Sequence, residues 1–446
     1  MQLSLRKKKN LSEVQILALG FLIVIVFGTI ILSLPISSAS GEFTNILDSA
    51  FTSTSAVCIT GLVTLNTSIH WSLFGKVIIM ILIEIGGLGF MSFAIFVAIL
   101  LKKKITLRER LVMQEAMNTF DIQGLVKMVK YVFFFTFAVQ FLGALLLSTQ
   151  FIPEYGISKG IFYSFFHSIS AFCNAGFDLF GTSLTTYYNN SIVILVISVI
   201  IIIGGLGFTV WMEIYDYKEL KRLSIHSKLV LLVTVILILG GSILMFIFEF
   251  RNPETIGSMG IKDKVLNSLF ASVTTRSAGF NTISIDGMST AGKFSTIILM
   301  FIGGSPGSTA GGLKTATFGI IILTVISVVK RREDVEVFRR RLSKHLVYEA
   351  FTLFFIGMGI VIIATMVLSY TEAGISFMDL LYEVTSAITT AGLTTGLTPN
   401  LSLFGKILIM FLMYFGRVGP LTVVLAMSRK KEKNGCKYPE VKILIG

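Results

Sequence analysis

One short pattern occurs four times and limits what this chain can fold into. It reads DSAFTSTSAVCITGL at 48–62, YSFFHSISAFCNAGF at 163–177, LNSLFASVTTRSAGF at 266–280 and DLLYEVTSAITTAGL at 379–393. Each copy is a run of moderately apolar, Ser/Thr-rich residues that closes on one glycine: Gly61, Gly176, Gly279 or Gly392. Each copy is too short to cross a bilayer, which needs about 20 apolar residues, or about 30 Å of helix. Each also lies between two stretches that are long enough. A short helix, irregular backbone and a long apolar helix read as a re-entrant loop. Four such units in one polypeptide predict a pseudo-four-fold arrangement around one central pore.

The fold class expected is therefore an all-α integral membrane protein of eight transmembrane helices and four re-entrant pore loops. Composition agrees: 54% of the 446 residues are hydrophobic and 14% charged, outside the range of soluble domains. The eight apolar stretches fall near 14–34, 74–101, 128–152, 191–213, 229–250, 294–329, 346–369 and 403–428. The sixth is interrupted. The organisation expected is an N-terminal segment 1–13, repeat 1 over 14–110, repeat 2 over 111–224, repeat 3 over 225–344, repeat 4 over 345–428 and a basic tail 429–446.

Net charge is +13, but its placement points to a membrane rather than to nucleic acid. Most of the 38 Lys and Arg residues cluster at 6–9, 102–130, 218–228, 330–344 and 429–442. With eight spans these clusters share one face, and the positive-inside rule makes that face cytoplasmic, together with both termini. The stretch 14–34 resembles a secretory signal, yet it is longer than the usual apolar core of one and pairs with the first repeat, so it reads as a retained span. Cys58 and Cys173 share one repeat position, Cys436 lies in the tail, and no disulfide framework is implied.

The long helix after each pore segment carries a glycine motif: GGLGF at 86–90, GGLGF at 204–208, GGSPG at 303–307 and GRVGP at 416–420. The distance from the pore-segment glycine to this motif is 24 to 28 residues in every repeat. Close helix packing accounts for such glycines and is compatible with the repeat. Backbone carbonyls can replace the water of a dehydrated cation, irregular backbone at membrane depth must be buried or line water, and glycine reaches the dihedral angles required. The short helices, ending near Val57, Phe172, Thr275 and Ile388, point their negative C-terminal ends at the pore. Asp48 and Asp379 are expected to cap two of them.

Through the four pore segments, TTRSAGFN at 274–281, GGSPGSTAGGLKT at 303–315 and GRVGP, nearly the whole chain resembles the Trk/Ktr/HKT superfamily of potassium transporters. The resemblance is closest to the bacterial Ktr membrane subunits. It implies a K+-selective filter built from Cys58, Ile59, Thr60, Gly61 and Leu62; Cys173, Asn174, Ala175, Gly176 and Phe177; Arg276, Ser277, Ala278, Gly279 and Phe280; and Thr389, Thr390, Ala391, Gly392 and Leu393. K+ would be held by carbonyls near the four glycines. In related plant proteins serine at the first glycine accompanies sodium transport, so Gly61 favours potassium. The resemblance further implies an intramembrane gate of Gly303, Gly304, Ser305, Pro306, Gly307, Ser308, Thr309, Ala310, Gly311, Gly312 and Lys314, with Arg417 facing the pore beside it.

The buried charges carry plainer readings too. Arg417 could instead pair with Glu84, and Glu84 could balance Lys314 or Arg417. Arg276 and His167 are expected behind the filter as scaffold. His70, His226 and His345 show no metal-ligand spacing. Gly307 and Gly312 mimic a P-loop, but Leu313 precedes Lys314 and Thr315, so the GxxxxGK[ST] pattern fails.

The function expected is K+ uptake across the cell membrane by a non-enzymatic, multi-pass subunit. A membrane potential of roughly 150 mV supplies about 3.5 kcal/mol per charge, enough for several-hundredfold accumulation without ATP. No cofactor is expected in this chain. The family's partners would be a second copy, as a homodimer, and a separate cytoplasmic nucleotide-binding ring of the RCK type (KtrA/KtrC-like), on which ATP or ADP would sit. Sodium coupling is left open, because no residue set requires it. Two other classes compete: a solute transporter with broken helices, which predicts two halves rather than four units, and an intramembrane hydrolase using Ser305 or Ser308, which lacks a base at matching depth.

Overall fold

The computed structural model describes residues 13–101, 109, 111–112, 114, 125–217 and 223–419. The N-terminal basic segment, most of the basic stretch 102–124 and the tail 429–446 therefore lie outside the described residues, as do 420–428 of the last expected span. Among the described residues the regular structure is helical apart from one short hairpin, Glu336–Val337 with Arg340–Arg341.

Each repeat opens on a long helix: α1 (Glu13–Ser33), α5 (Leu125–Tyr155), α9 (Ile225–Glu249) and α13 (Lys344–Thr371). Among the described residues, these four are long and apolar enough to cross a membrane. Their outward faces expose large apolar side chains such as Phe27, Phe134, Ile243 and Ile363, as a lipid-facing surface requires. Next comes a short helix directed inward: α2 (Ile46–Val57), α6 (Ile157–Phe172), α10 (Ile261–Thr274) and α14 (Phe377–Ile388). Phe51, Phe166, Phe172 and Phe270 from these helices pack with Phe177 and Phe280 in the central core.

In the first three repeats the second long segment is a broken helix rather than the continuous span expected for the first two, and in the fourth the described part is one helix ending at Val418. The pieces are α3 (Leu73–Leu88) with α4 (Phe90–Leu100), α7 (Ser191–Gly205) with α8 (Phe208–Tyr215), α11 (Thr290–Phe301) with α12 (Thr315–Val329), and α15 (Leu403–Val418). The break falls at the last glycine of the motif in the first two repeats, Gly89 and Gly207, and spans 302–314 in the third; Gly89, Gly207, Gly307 and Gly419 all have φ between +67° and +95°. L side chains avoid that region, so the motif dictates the break. At Gly207 the bend is 96°, and counting this bent pair as one span brings the membrane-crossing total to five.

The first glycine of the motif acts differently. A Cβ on Gly86, Gly204 or Gly416 would collide with the carbonyl oxygen of Val57, Phe172 or Ile388, the last residue of the adjoining short helix. Close packing is thus real, and in these three repeats its partner is a backbone carbonyl at the inner end of the short helix, whereas Gly303 of the third repeat meets Gly311 O of the loop.

Serine or asparagine starts every second helix, as N-cap chemistry favours: Ser72, Asn190, Ser289 and Ser402 each accept a backbone N–H of the first turn. In the third and fourth repeats a buried carboxylate from the end of the preceding long helix holds this cap. Glu249 accepts from Ser289 N at 3.0 Å and from its hydroxyl at 2.6 Å; Glu372 accepts from Ser402 N at 3.2 Å and from its hydroxyl. Glu249 also accepts from Asn252 and Thr255. Removing such a carboxylate strands several buried donors, each charged bond being worth about 1.5–3 kcal/mol. Glu249→Ala should accordingly lower the apparent melting temperature of the purified protein by several degrees. An unchanged melting curve would mean the clasp carries no stability.

Asp48 and Asp379 are not N-caps. Asn45 caps α2 through Leu47 N, and Ser376 occupies that position in α14. Both aspartates sit within the first turn and form ion pairs, Asp379 with Lys293 at 3.0 Å and Asp48 with Lys406 at 3.8 Å.

Candidate functional site

The four short helices end beside one another, and the segments that follow them close into a ring. A Cβ on Gly61 would lie 2.5 Å from Ala175 O and 3.1 Å from Gly176 Cα; one on Gly176 would lie 2.8 Å from Gly279 Cα. One on Gly279 would meet Ala391 O at 3.1 Å, and one on Gly392 would collide with Thr60 O. Each glycine therefore touches the next repeat, and the fourth returns to the first.

Backbone conformation repeats with the same fidelity. Gly61, Gly176, Gly279 and Gly392 have φ of 91°, 70°, 77° and 78°. Two residues earlier, Ile59, Asn174, Ser277 and Thr390 are also left-handed, at 57°, 58°, 64° and 49°. The residues between them, Thr60, Ala175, Ala278 and Ala391, are not. Alternating left- and right-handed residues turn successive carbonyls to one side of the strand, which suits a cation. Left-handed Ile59 is costly for a β-branched residue, and nothing in the sequence flags it. Cys58, Cys173 and Thr389 are the C-caps of their short helices; in the third repeat Thr275 takes that place and Arg276 follows it. Leu62, Phe177, Phe280 and Leu393 are buried in the core just beyond the ring.

Polar groups behind the ring hold it. Ser55 accepts from Gly61 N, Ser170 donates to Phe177 O, Thr274 donates to Phe280 O and Ser277 donates to Thr389 O. Arg276 is buried and donates to Thr234 of α9 at 3.3 Å, a scaffold contact. His167 lies in α6 within hydrogen-bond distance of Tyr163 O and Leu179 N. Glu84 was open to pairing with Lys314 or Arg417 on sequence grounds. It pairs with neither: it accepts from Gln140 at 2.8 Å, with Cys173 Sγ 3.4 Å away. Gln140 is far off in the chain and was invisible to pattern reading.

The glycine-rich stretch 303–314 lies directly beneath the ring. Gly303 N donates to Leu313 O and Leu313 N to Phe301 O, closing the stretch into a loop whose ends are joined by a parallel bridge between Ile302 and Leu313. Ser305 N donates to Gly205 O, Phe208 N to Gly307 O, and the Thr309 hydroxyl lies 3.2 Å from both Phe172 O and Gly204 O. The loop is thus seated on the broken helix of the second repeat. Toward the fourth repeat a Cβ on Gly311 would collide with the Thr390 hydroxyl and approach Thr389 O at 3.0 Å. Gly304 likewise faces Ala310, while Ser308 donates to Ser305 O, and Thr315 to the Ser305 hydroxyl. Pro306 supplies its carbonyl to the close approach of Gly207. Gly312 is left-handed at φ 72°. Lys314 ends the loop as the N-cap of α12 and donates to Ala310 O at 2.6 Å.

Arg417 faces the loop from the other side. It donates to Thr309 O at 2.7 Å and to Gly86 O, so it bridges the loop to the broken helix of the first repeat. It meets carbonyls, not the Glu84 carboxylate. A cavity of about 360 Å³ lies below, lined among others by Arg417, Lys314, Phe21, Phe301 and Thr389. Among the described residues no carboxylate lines it.

A family profile described as TrkH, cation transport protein, matches residues 6–436. The potassium/sodium uptake protein NtpJ of Enterococcus hirae is 47% identical over 99% of this chain and 99% of its own length. The Ktr system potassium uptake protein B of Bacillus subtilis is 39% identical over 97% of this chain and 96% of its own. The crystal structure of the potassium transporter TrkH from Vibrio parahaemolyticus superposes with a TM-score of 0.71, covering 95% of this chain and 86% of that one at 17% identity.

Proposed function

Because the chain belongs to the TrkH family of cation transport proteins, multi-pass membrane transporters rather than enzymes, we propose that it is the K+-translocating subunit of an uptake system. One observation carries this reading above the others. Four left-handed glycines from four repeats touch in sequence and close into a ring. Relatives that align over nearly their whole length are named for potassium/sodium uptake and for potassium uptake, and potassium is the ion common to both names.

In this reading each repeat contributes a full span, a re-entrant short helix and a second span, giving eight crossings with the repeat boundaries set out above. Both termini are cytoplasmic. The carbonyls of 58–62, 173–177, 276–280 and 389–393 replace the water of K+. The four short-helix C-termini add about −0.5 charge each at the inner end of the ring. The stretch 303–314 is the gate, and Arg417 adds a positive barrier below the ring. The chain works as a homodimer with a separate nucleotide-binding ring on the basic cytoplasmic face. Four equivalent units, rather than two halves, favour this pore over a solute transporter with broken helices.

Purified protein in liposomes tests the reading. Rubidium tracer should accumulate in vesicles under an outward K+ gradient, potassium should compete and sodium should compete poorly. Equal competition by sodium, or tracer uptake no faster than in empty vesicles, would refute it. A pull-down with a nucleotide-binding ring from a Ktr system tests the partner, and failure to capture any such ring would remove it.

A further inference from the structure

The position nine residues before each ring glycine holds Thr52, His167, Phe270 and Glu383. In the second and fourth repeats it reaches past the glycine to the strand beyond. His167 Nδ1 lies 2.7 Å from Tyr163 O, and Leu179 N lies 3.3 Å from Nε2. These two bonds are compatible only if Nδ1 carries the proton and Nε2 accepts. Glu383 is fully buried in α14. Its Oε1 accepts from the Thr394 hydroxyl at 2.7 Å and from the Thr398 hydroxyl. Thr394 in turn accepts from Gly396 N at 2.9 Å, so the whole turn after Gly392 hangs from this carboxylate.

The other repeats hold their strands with short-helix hydroxyls: Ser55 on Gly61 N, Ser170 on Phe177 O and Thr274 on Phe280 O. The fourth short helix has Ser386 at the place of Ser55 and Ser170 and Ala387 at the place of Thr274, and neither the Ser386 nor the neighbouring Thr385 hydroxyl oxygen has a hydrogen-bond partner. Among the described side chains of α14, Glu383 alone fastens the strand beyond Gly392. The second carboxylate oxygen, Oε2, is buried without a partner.

The geometry assigns Glu383 as a positioning residue for ion selection: by anchoring Thr394 and Thr398 it fixes the fourth quarter of the glycine ring and so sets the preference for K+ over Na+. This rests on the K+ reading above. A strand free to relax adapts to a smaller cation, whereas a pinned one does not. The acceptor oxygen, not the charge, is what the brace uses.

The test compares rubidium and sodium tracer flux in liposomes for the wild type, Glu383→Ala, Glu383→Gln and the double variant Thr394→Val, Thr398→Val. Glu383→Ala should lower the K+/Na+ flux ratio at least about tenfold. Glu383→Gln keeps an acceptor oxygen and should stay within about threefold of wild type. The double valine variant leaves the carboxylate in place, removes both donors and should follow the alanine variant, which keeps the test decisive if Glu383→Ala does not fold. An unchanged ratio in either of these two overturns the assignment, as does a glutamine variant that falls as far as alanine. A wild type without K+ preference would instead defeat the underlying reading.

Discussion

Aspartate in place of Gly61 should abolish potassium flux, by at least about 100-fold, and should leave the protein able to fold around the other three repeats. Gly61 has φ 91°, where an L side chain costs about 1–2 kcal/mol. Its Cβ would stand 2.5 Å from Ala175 O and 3.1 Å from Gly176 Cα. Backbone atoms of a closed ring cannot yield to that contact without changing the ring. The carboxylate would add a full charge where K+ must be held weakly enough to leave. Tracer flux in liposomes, with the elution profile in detergent as the folding control, measures both halves of the prediction. Wild-type flux in Gly61→Asp would mean that ions do not pass the ring.

Glutamine in place of Arg417 has the opposite sign: flux in the absence of any partner rises. Arg417 bonds to Thr309 O and Gly86 O, holding the loop to the first repeat, and its charge is unmatched by any carboxylate among the described residues lining the cavity. Two unit charges about 8 Å apart at an effective dielectric of 20 repel by about 2 kcal/mol, or roughly 30-fold in rate. Releasing the loop acts in the same direction. Lysine keeps the charge but loses the planar fork, so Arg417→Lys should fall between glutamine and wild type. Initial rates of rubidium uptake rank the three. A glutamine variant no faster than wild type would remove Arg417 from the gate.

How far the sequence could lead depended on whether a feature was local. The short helices end within a residue of Val57, Phe172, Thr275 and Ile388, because Ser/Thr-rich apolar runs closing on glycine carry their own stop signal. The motif glycines were legible as packing sites for the same reason. Their partners, the last carbonyls of the short helices, were not. Helix continuity was not legible, since 74–101 and 191–213 are predominantly apolar yet break at Gly89 and Gly207. Acidic residues misled as well: Asp48 and Asp379 look like caps, but Asn45 and Ser376, three residues earlier, take that position and free the carboxylates for lysines. Contacts between distant segments had no signal at all. Glu84 with Gln140 and Glu249 with Ser289 join residues far apart in the chain, and a left-handed Ile59 runs against its own side chain.

The central proposal is an ion held by four equivalent glycines. The most direct measurement is an experimental structure determined with the heavier K+ analogues rubidium or thallium and read by anomalous scattering. The predicted result is density on the axis of the ring, flanked by Gly61, Gly176, Gly279 and Gly392 and absent when sodium is the only cation. Density located away from the ring, or equal occupancy of the ring in sodium, would contradict a K+ filter made by one chain.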